Sequence, residues 1–401
     1  MISIRKKGFL LALFLVLLTP NIASADVLPP HFVLTGSGFG HGVGMSQIGA
    51  KGQALEGKSA TDILSYWFPG TQLTAVPIDQ NIKVNVAHAV TFAKFTFKPL
   101  DKPLDSSAAW NLGAQSIPVN STVRFSLVGK VISAVIATPK QVNQVLPATN
   151  IWNISFSGLL AMNTSSASMN LHYGSISLRV VGSKIEVTDT MLIDQYVLGV
   201  SEISSSWPSS ALQAQAIASR TYGLAHLTLR PECDCNVYSS KYDQVYVGYA
   251  KESELGFGQL WSSAVAATES DPNTAYAITY QGKPIAVYFF SSDGGMTQTS
   301  QDVWGTAQPY LTNVADPWSL DIFLNPNYAH WQRVLIQKDV ATAFKLPDVL
   351  SLTIATRSAS NAATTITATS STGTISTLQV GDFKTKLKIP SSWFEIAPPG
   401  I

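Results

Sequence analysis

The amino-acid sequence predicts an α+β protein: mixed, largely antiparallel sheets, a few helices and a small all-β accessory region. Three observations predict it. Short runs of alternating apolar and polar residues recur, separated by Gly-containing turns. One long alanine-rich run, opened by Trp207-Pro208, has helical character. Hydrophobic residues make up 46% of the 401 residues and charged residues 13%, enough for a sizeable core and too apolar for a disordered chain. With 26 Lys+Arg against 25 Asp+Glu the net charge is +1. That balance argues against a nucleic-acid partner held by phosphate neutralisation.

Residues 1–25 have the features of a secretory signal peptide. Arg5, Lys6 and Lys7 precede an apolar run over 8–18, Thr19-Pro20 breaks it, and Ala23-Ser24-Ala25 is an A-x-A cleavage site. That run is too short for a bilayer, and no later stretch reaches the about 18 apolar residues a span needs. The expectation is a secreted or cell-wall protein with no membrane span after cleavage. Residues 26–75 form a Gly-rich segment followed by helix. Glycine alternates between Gly36 and Gly44, leaving backbone that other groups can approach closely. Residues 45–54 predict a short helix. Ser59 then caps a second one, with Asp62 at N3 and Ile63, Leu64 and Trp67 on its apolar side, until Pro69-Gly70 stops it.

Residues 76–168 predict the all-β insertion or accessory domain. Ile82-Lys83-Val84-Asn85-Val86 alternates and 92–97 does so loosely, while 123–128 and 131–137 flank a Gly129-Lys130 turn. Between 80 and 165 the acidic residues are Asp101 and Asp105, in a Pro-containing loop, and no chemistry is visible. Residues 169–400 open with a hairpin, 175–180 and 184–187 around Gly182-Ser183. The Pro208 helix extends through Tyr222, and its alanines predict burial against close neighbours. Strands follow at 275–280 and 284–290, joined by Gln281-Gly282-Lys283, with further β alternation at 350–354 and 364–368.

Cys233 and Cys235 are the two cysteines. An exported C-x-C pair suits a local disulfide or a buried pair; a metal site would need His226 or Glu232 as further ligands, and the C-x₂₋₄-C zinc spacing is absent. No metal and no cofactor are expected. Gly52-Gln53-Ala54-Leu55-Glu56-Gly57-Lys58-Ser59 fits the P-loop pattern, but no strand precedes it and 47–56 predicts helix, so no nucleotide is expected.

Three segments join apolar runs to polar or Gly residues, as sites on loops do: the loop around His41, the run 196–202 ending at Glu202, and the turn Ser291-Ser292-Asp293-Gly294-Gly295. Glu202 follows a strand-like apolar run and precedes the Pro208 helix. A carboxyl in such an apolar wall can hold its proton near neutral pH; its plainer role is to cap the helix. Arg220 lies deep in an alanine-rich helix and needs partners there, whether Glu202, a substrate group or a structural carboxylate.

Together these segments resemble the SpoIID/LytB family. The residues that carry the resemblance are Tyr196-Val197-Leu198-Gly199-Val200-Ser201-Glu202, Trp207-Pro208, the helix 211–222 and Gln244-Val245-Tyr246-Val247-Gly248. To them are added Ser291-Ser292-Asp293-Gly294-Gly295-Met296-Thr297, Val303-Trp304-Gly305 and the motif Gly40-His41-Gly42-Val43-Gly44-Met45-Ser46-Gln47. The resemblance covers about 36–71 and 170–397. Here the Gly-His-Gly motif precedes the domain, as if permuted to the N-terminus. Phe290 stands where many members have His, Asp293 where Ser is frequent, and Ser240-Lys241-Tyr242-Asp243 where some bind zinc.

The resemblance implies a lytic transglycosylase acting on peptide-stripped peptidoglycan glycan strands, with sheets and helices around a glycan-binding cleft. The alternative it implies is a glycan-binding module or an enhancer of a cell-wall amidase. It further implies Glu202 as the single general acid/base. Arg220, Tyr222, Gln244, Tyr246, Ser291, Ser292, Gly294, Gly295, His41, Met45 and Gln47 would position the sugar or support Glu202. A hydrolase would need a second carboxylate about 5–9 Å away, for which Asp293 is the sequence candidate.

Overall fold

A computed structural model describes residues 28–98, 109–139 and 143–398. The expected signal peptide and the Asp101–Asp105 loop lie outside the described residues. The fold is α+β, with mostly antiparallel sheets. No helix among the described residues is long and apolar enough to cross a membrane.

Alternation builds the first core. A six-stranded sheet runs in the order Gln144–Thr149, Val131–Ala137, Thr122–Val128, Phe92–Lys98, Leu159–Thr164, Ser168–Leu171. Val131–Ala137 buries every second residue, so Ile132, Ala134 and Ile136 face inward. A seven-stranded sheet contains Asn81–Val90, Lys184–Leu192, Ser175–Val181 and Ile151–Ser157 as consecutive neighbours. The two sheets bury one shared cluster that includes Val84, Phe95, Trp110, Phe125, Leu160 and Leu178. The strands of 81–171 therefore share a sheet and a core with the hairpin that follows them.

Helix α1 (Gln47–Leu55) starts two residues later than expected, because Met45–Ser46 forms a short strand and Ser46 becomes the cap, while α2 (Ala60–Trp67) starts where its Ser59 cap predicts. Ser46 Oγ accepts from Gly49 N–H, and Ser59 and Asp62 form a reciprocal capping box. Helix α3 (Ile193–Leu198) replaces the strand-like run expected before Glu202. Its buried residues, Ile193, Tyr196 and Val197, have helical spacing, and Gln195 Oε1 accepts from Leu192 N–H at the first turn. Helix α4 (Ser209–Ala225) is the alanine-rich one, and most of its side chains are buried. Its small residues let α1, α2, α3 and α5 (Gly258–Ala266) all pack on it. Helices α6 (Ser300–Trp304), α7 (Gln337–Phe344) and α8 (Val380–Leu387) complete the set. The strand expected over 284–290 is broken. Lys283–Pro284 pairs with Thr274–Tyr280, but Phe289–Phe290 changes partner to Met45–Ser46.

The N-terminal segment is woven into the C-terminal half. His31–Ser37 is the middle strand between Trp331–Ile336 and Trp393–Ile396, although its sequence reads as the start of a glycine loop. Gln72–Pro77 pairs with Thr274–Tyr280. A second core joins Phe32 and Leu34 to Trp331, Phe344, Phe383 and Phe394. A third joins Ile63, Leu64, Trp67 and Phe68 to α4 and Ile278. Cys233 and Cys235 form a disulfide.

Candidate active site

Glu202 sits on the loop between α3 and α4. Val200 bridges to Tyr246 and Ser201 N–H donates to Val245 O, so this loop is laced to the 244–247 segment. Glu202 Oε1 accepts from Val245 N–H at 2.6 Å. Pro208 caps α4 with no side-chain bond, so capping that helix is not what occupies Glu202. Burial raises the Glu202 pKa above its ordinary value, and the Val245 N–H only partly opposes this. The peptide after Glu202 is held by Lys251 Nζ, which donates to Ile203 O at 2.7 Å.

Glu202 opens into a cleft of about 610 Å³. Its walls come from four parts of the chain: Gln47 and Ile48 of α1, Ser201 to Ser204 with Trp207, the 247–254 stretch with Lys251 and Glu254, and Ser291. Two glycines let the N-terminal motif close in. A Cβ on Gly44 (φ +82°) would lie 2.2 Å from Tyr288 O, and one on Gly38 (φ +84°) 2.8 Å from the Asp293 backbone. Ile48 N–H then donates to Ser291 O. Gln47 Nε2 donates to Gln215 Oε1 at 3.4 Å, Gln215 Nε2 to Ser219 Oγ, and Gln244 Nε2 to Ser219 O. These bonds tie Gln47 and the 244 segment to α4. Tyr246 is buried beneath the segment, stacked on Tyr196 at 5.6 Å, with its hydroxyl on Met191 Sδ.

The other motif residues go elsewhere. Met45 is buried in the short strand beside Phe289. Arg220 is fully buried and engaged: Nε and Nη2 donate to the two Asp194 oxygens at 2.6 and 3.0 Å, Nη1 to Tyr276 O, and Nη2 to Thr268 Oγ1. It fastens α4 to α3 and to Thr274–Tyr280 rather than lining the cleft. Ser292 is buried, its backbone paired with Phe39. Gly294 lies against the Trp393 ring and lines a different cavity, and Gly295 takes φ +104° beside Leu320. His41 and Tyr222 share a smaller cavity with Asp243, Tyr288 and Trp304. Burial and the nearby Lys384 bring the His41 pKa down to about 4.

Asp293 is fully buried and does not line the Glu202 cleft. Its Oδ1 accepts from Gly295 N–H, and burial and the Asp316 carboxylate keep its pKa well above the ordinary range. The second carboxylate of the cleft is Glu254, whose Oε2 accepts from Ser205 Oγ at 2.7 Å and lies 3.8 Å from Lys251 Nζ. Nothing in Lys251-Glu252-Ser253-Glu254 distinguishes it from an ordinary charged loop. Among the described residues no group of three or more His, Cys, Asp or Glu is placed to hold a metal ion.

Residues 181–272, from the hairpin turn to just past the strand Glu269–Asp271 that follows α5, match the SpoIID family model, described as "Stage II sporulation protein". The chain is 35% identical over 147 residues to an uncharacterised protein of Brachyspira hyodysenteriae, covering 36% of this chain and 37% of that protein. It is 30% identical over 167 residues to the stage II sporulation protein D of Bacillus amyloliquefaciens, covering 39% and 47%. It is 31% identical over 127 residues to the amidase enhancer of Bacillus subtilis, covering 30% of this chain and 16% of that one. The match thus spans less than half the length of each of these relatives.

Proposed function

The chain belongs to the SpoIID/LytB family through residues 181–272, and on that premise we propose that it is an exported cell-wall protein that cleaves peptidoglycan glycan strands as a lytic transglycosylase. The observation that carries this reading is Glu202. It is a carboxyl with its pKa raised by burial, set on one N–H at the wall of an open cleft.

Such a group can donate a proton to the glycosidic oxygen between N-acetylmuramic acid and N-acetylglucosamine as that bond breaks. The carboxylate left behind then takes the proton of the muramic C6 hydroxyl, whose oxygen closes the 1,6-anhydro ring on C1. The proton count balances on one residue and no water enters, so a single carboxyl suffices. Gln47 and Ser291, which adjoin in the cleft wall, supply hydrogen-bonding groups for the sugar.

A second reading is supported by the relative named "Amidase enhancer": the cleft binds glycan, or the protein acts on a cell-wall amidase, without cleavage. One digestion separates them. The protein and its Glu202→Gln variant are incubated with intact and with peptide-stripped peptidoglycan, and the products are weighed. Products lighter by one water than hydrolysed ends, lost in the variant, are expected. Hydrated ends would replace this mechanism with hydrolysis and direct attention to Glu254. Binding without release would favour the second reading.

A further inference from the structure

The smaller cavity beside His41 has no part in the proton transfers above. It measures about 190 Å³. One wall is aromatic: Trp304 lies 4.5 Å from Tyr288 and 5.3 Å from His41, centroid to centroid. Trp304 is 45% exposed and Tyr242, on the rim, 81% exposed, large apolar rings left open to solvent. Opposing charge there is internal: Asp243, its side chain almost wholly buried, accepts from Tyr222 Oη at 2.6 Å, from both Arg230 Nη atoms and from Tyr238 N–H, which leaves the Tyr222 hydroxyl oxygen as the acceptor open to a ligand.

This chemistry is selective. The Asp243 carboxylate is neutralised by Arg230, and Lys241, the other charged residue of the lining, is exposed to solvent that screens it, so the cavity selects by shape and apolar contact rather than by charge. The volume is too small for a folded peptide segment. Aromatic faces beside the Tyr222 hydroxyl oxygen suit a ring with an apolar face and a polar edge, which describes a pyranose.

Two chain segments border both the cavity and the cleft. Residues 241–247 border it at Lys241, Tyr242 and Asp243, donate to Glu202 through Val245 N–H, and border the cleft at Val247. Residues 287–291 border it at Val287, Tyr288 and Phe289 and the cleft at Ser291. Three residues of extended chain from Tyr288 to Ser291 span roughly 10 Å. On α4, two helical turns separate Tyr222, in the cavity, from Gln215, which holds Gln47, and these also span roughly 10 Å. Both separations match the reach of a short oligosaccharide.

We infer that the Trp304–Tyr288–Asp243 cavity is a distal subsite that holds one sugar ring of the same glycan strand whose scissile bond lies at Glu202. The inference rests on the glycan reading of the cleft. Its occupancy makes affinity depend on chain length, because a strand too short to reach Trp304 gains nothing from it.

The test uses the full chain carrying Glu202→Gln, so that ligand is not consumed, titrated with peptide-free glycan fragments of two and of six sugars. The six-sugar fragment is expected to bind at least about tenfold more tightly than the disaccharide, a gap consistent with one aromatic stacking contact. Adding Trp304→Ala should weaken the six-sugar fragment by about that factor and leave the disaccharide unchanged. Trp304→Phe should restore most of the loss, and a melting curve confirms that each variant is folded. Equal affinity of the Trp304→Ala variant for the long fragment overturns the subsite and leaves the glycan cleft standing, as does an equal loss for both lengths. No binding of either fragment by the Glu202→Gln chain overturns both readings.

Discussion

Glu202 and His41 show how enclosure moves two groups in opposite senses. Burial disfavours the charged form, so it raises the Glu202 carboxyl and lowers the His41 imidazole. For Glu202 the consequence is catalytic: cleavage should decline as pH rises through its raised pKa, and a rate–pH profile measures that limb. For His41 the consequence is stability. Its pKa falls from 6.5 in an open environment to about 4 in the fold, where Lys384 repels the added charge and the Phe289 carbonyl favours it. The stability linked to its neutral form is therefore complete above about 6.5 and is lost as pH drops toward 4. His41→Asn should melt with a flatter pH dependence across that window, so the gap between variant and parent should change with acidification. Parallel melting profiles would show that His41 does not titrate in this way.

At the level of elements, α4 organises the site through what it buries rather than through what it exposes. Its arginine is paired with Asp194 on α3, and removing one member of a buried pair strands the other. Arg220→Met should cost about 3–5 kcal/mol, read by denaturant unfolding, and the double variant with Asp194→Leu should recover part of it. The N-terminal motif docks by backbone approach, which side chains would prevent. Gly44→Ala forces a methyl into Tyr288 O at a left-handed φ, so the Met45–Ser46 pairing with Phe289–Phe290 should be lost. A drop in melting temperature together with weaker glycan binding is expected, since Gln47 follows directly on that strand. The capping signal of α2 and the Gly129-Lys130 and Gly182-Ser183 turns were legible because each depends on a few adjacent residues. Helix α3 was not, because six residues with three buried look equally apolar as a strand.

Over the whole molecule, the segments at 28–77 and 81–171 are structural partners of the rest. Asn81–Val90 pairs with Lys184–Leu192, and Ile151–Ser157 with Ser175–Val181. Excising 81–171 should therefore expose the Leu178 and Val187 face and yield an insoluble product, scored by solubility and circular dichroism. A soluble, folded remainder would show that the second half of the sheet stands alone. His31–Ser37 is likewise the central strand of its sheet, and without it both neighbours would have an open edge.

The α+β class, the α2 cap, the tight turns, the family resemblance and the position of Glu202 before the alanine-rich helix are readable in the chain alone. These rest on periodicity and on short motifs, where the interacting residues are neighbours in the chain. The tertiary structure alone decided which motif residues meet. It put Gln47 and Ser291 on the Glu202 cleft, moved His41 and Tyr222 to a second cavity, and turned Arg220 toward Asp194. It also buried Asp293 beside Asp316 and brought Glu254 to the cleft in its place. Such placements are set by contacts between residues tens to hundreds of positions apart, and no local pattern in the chain encodes them.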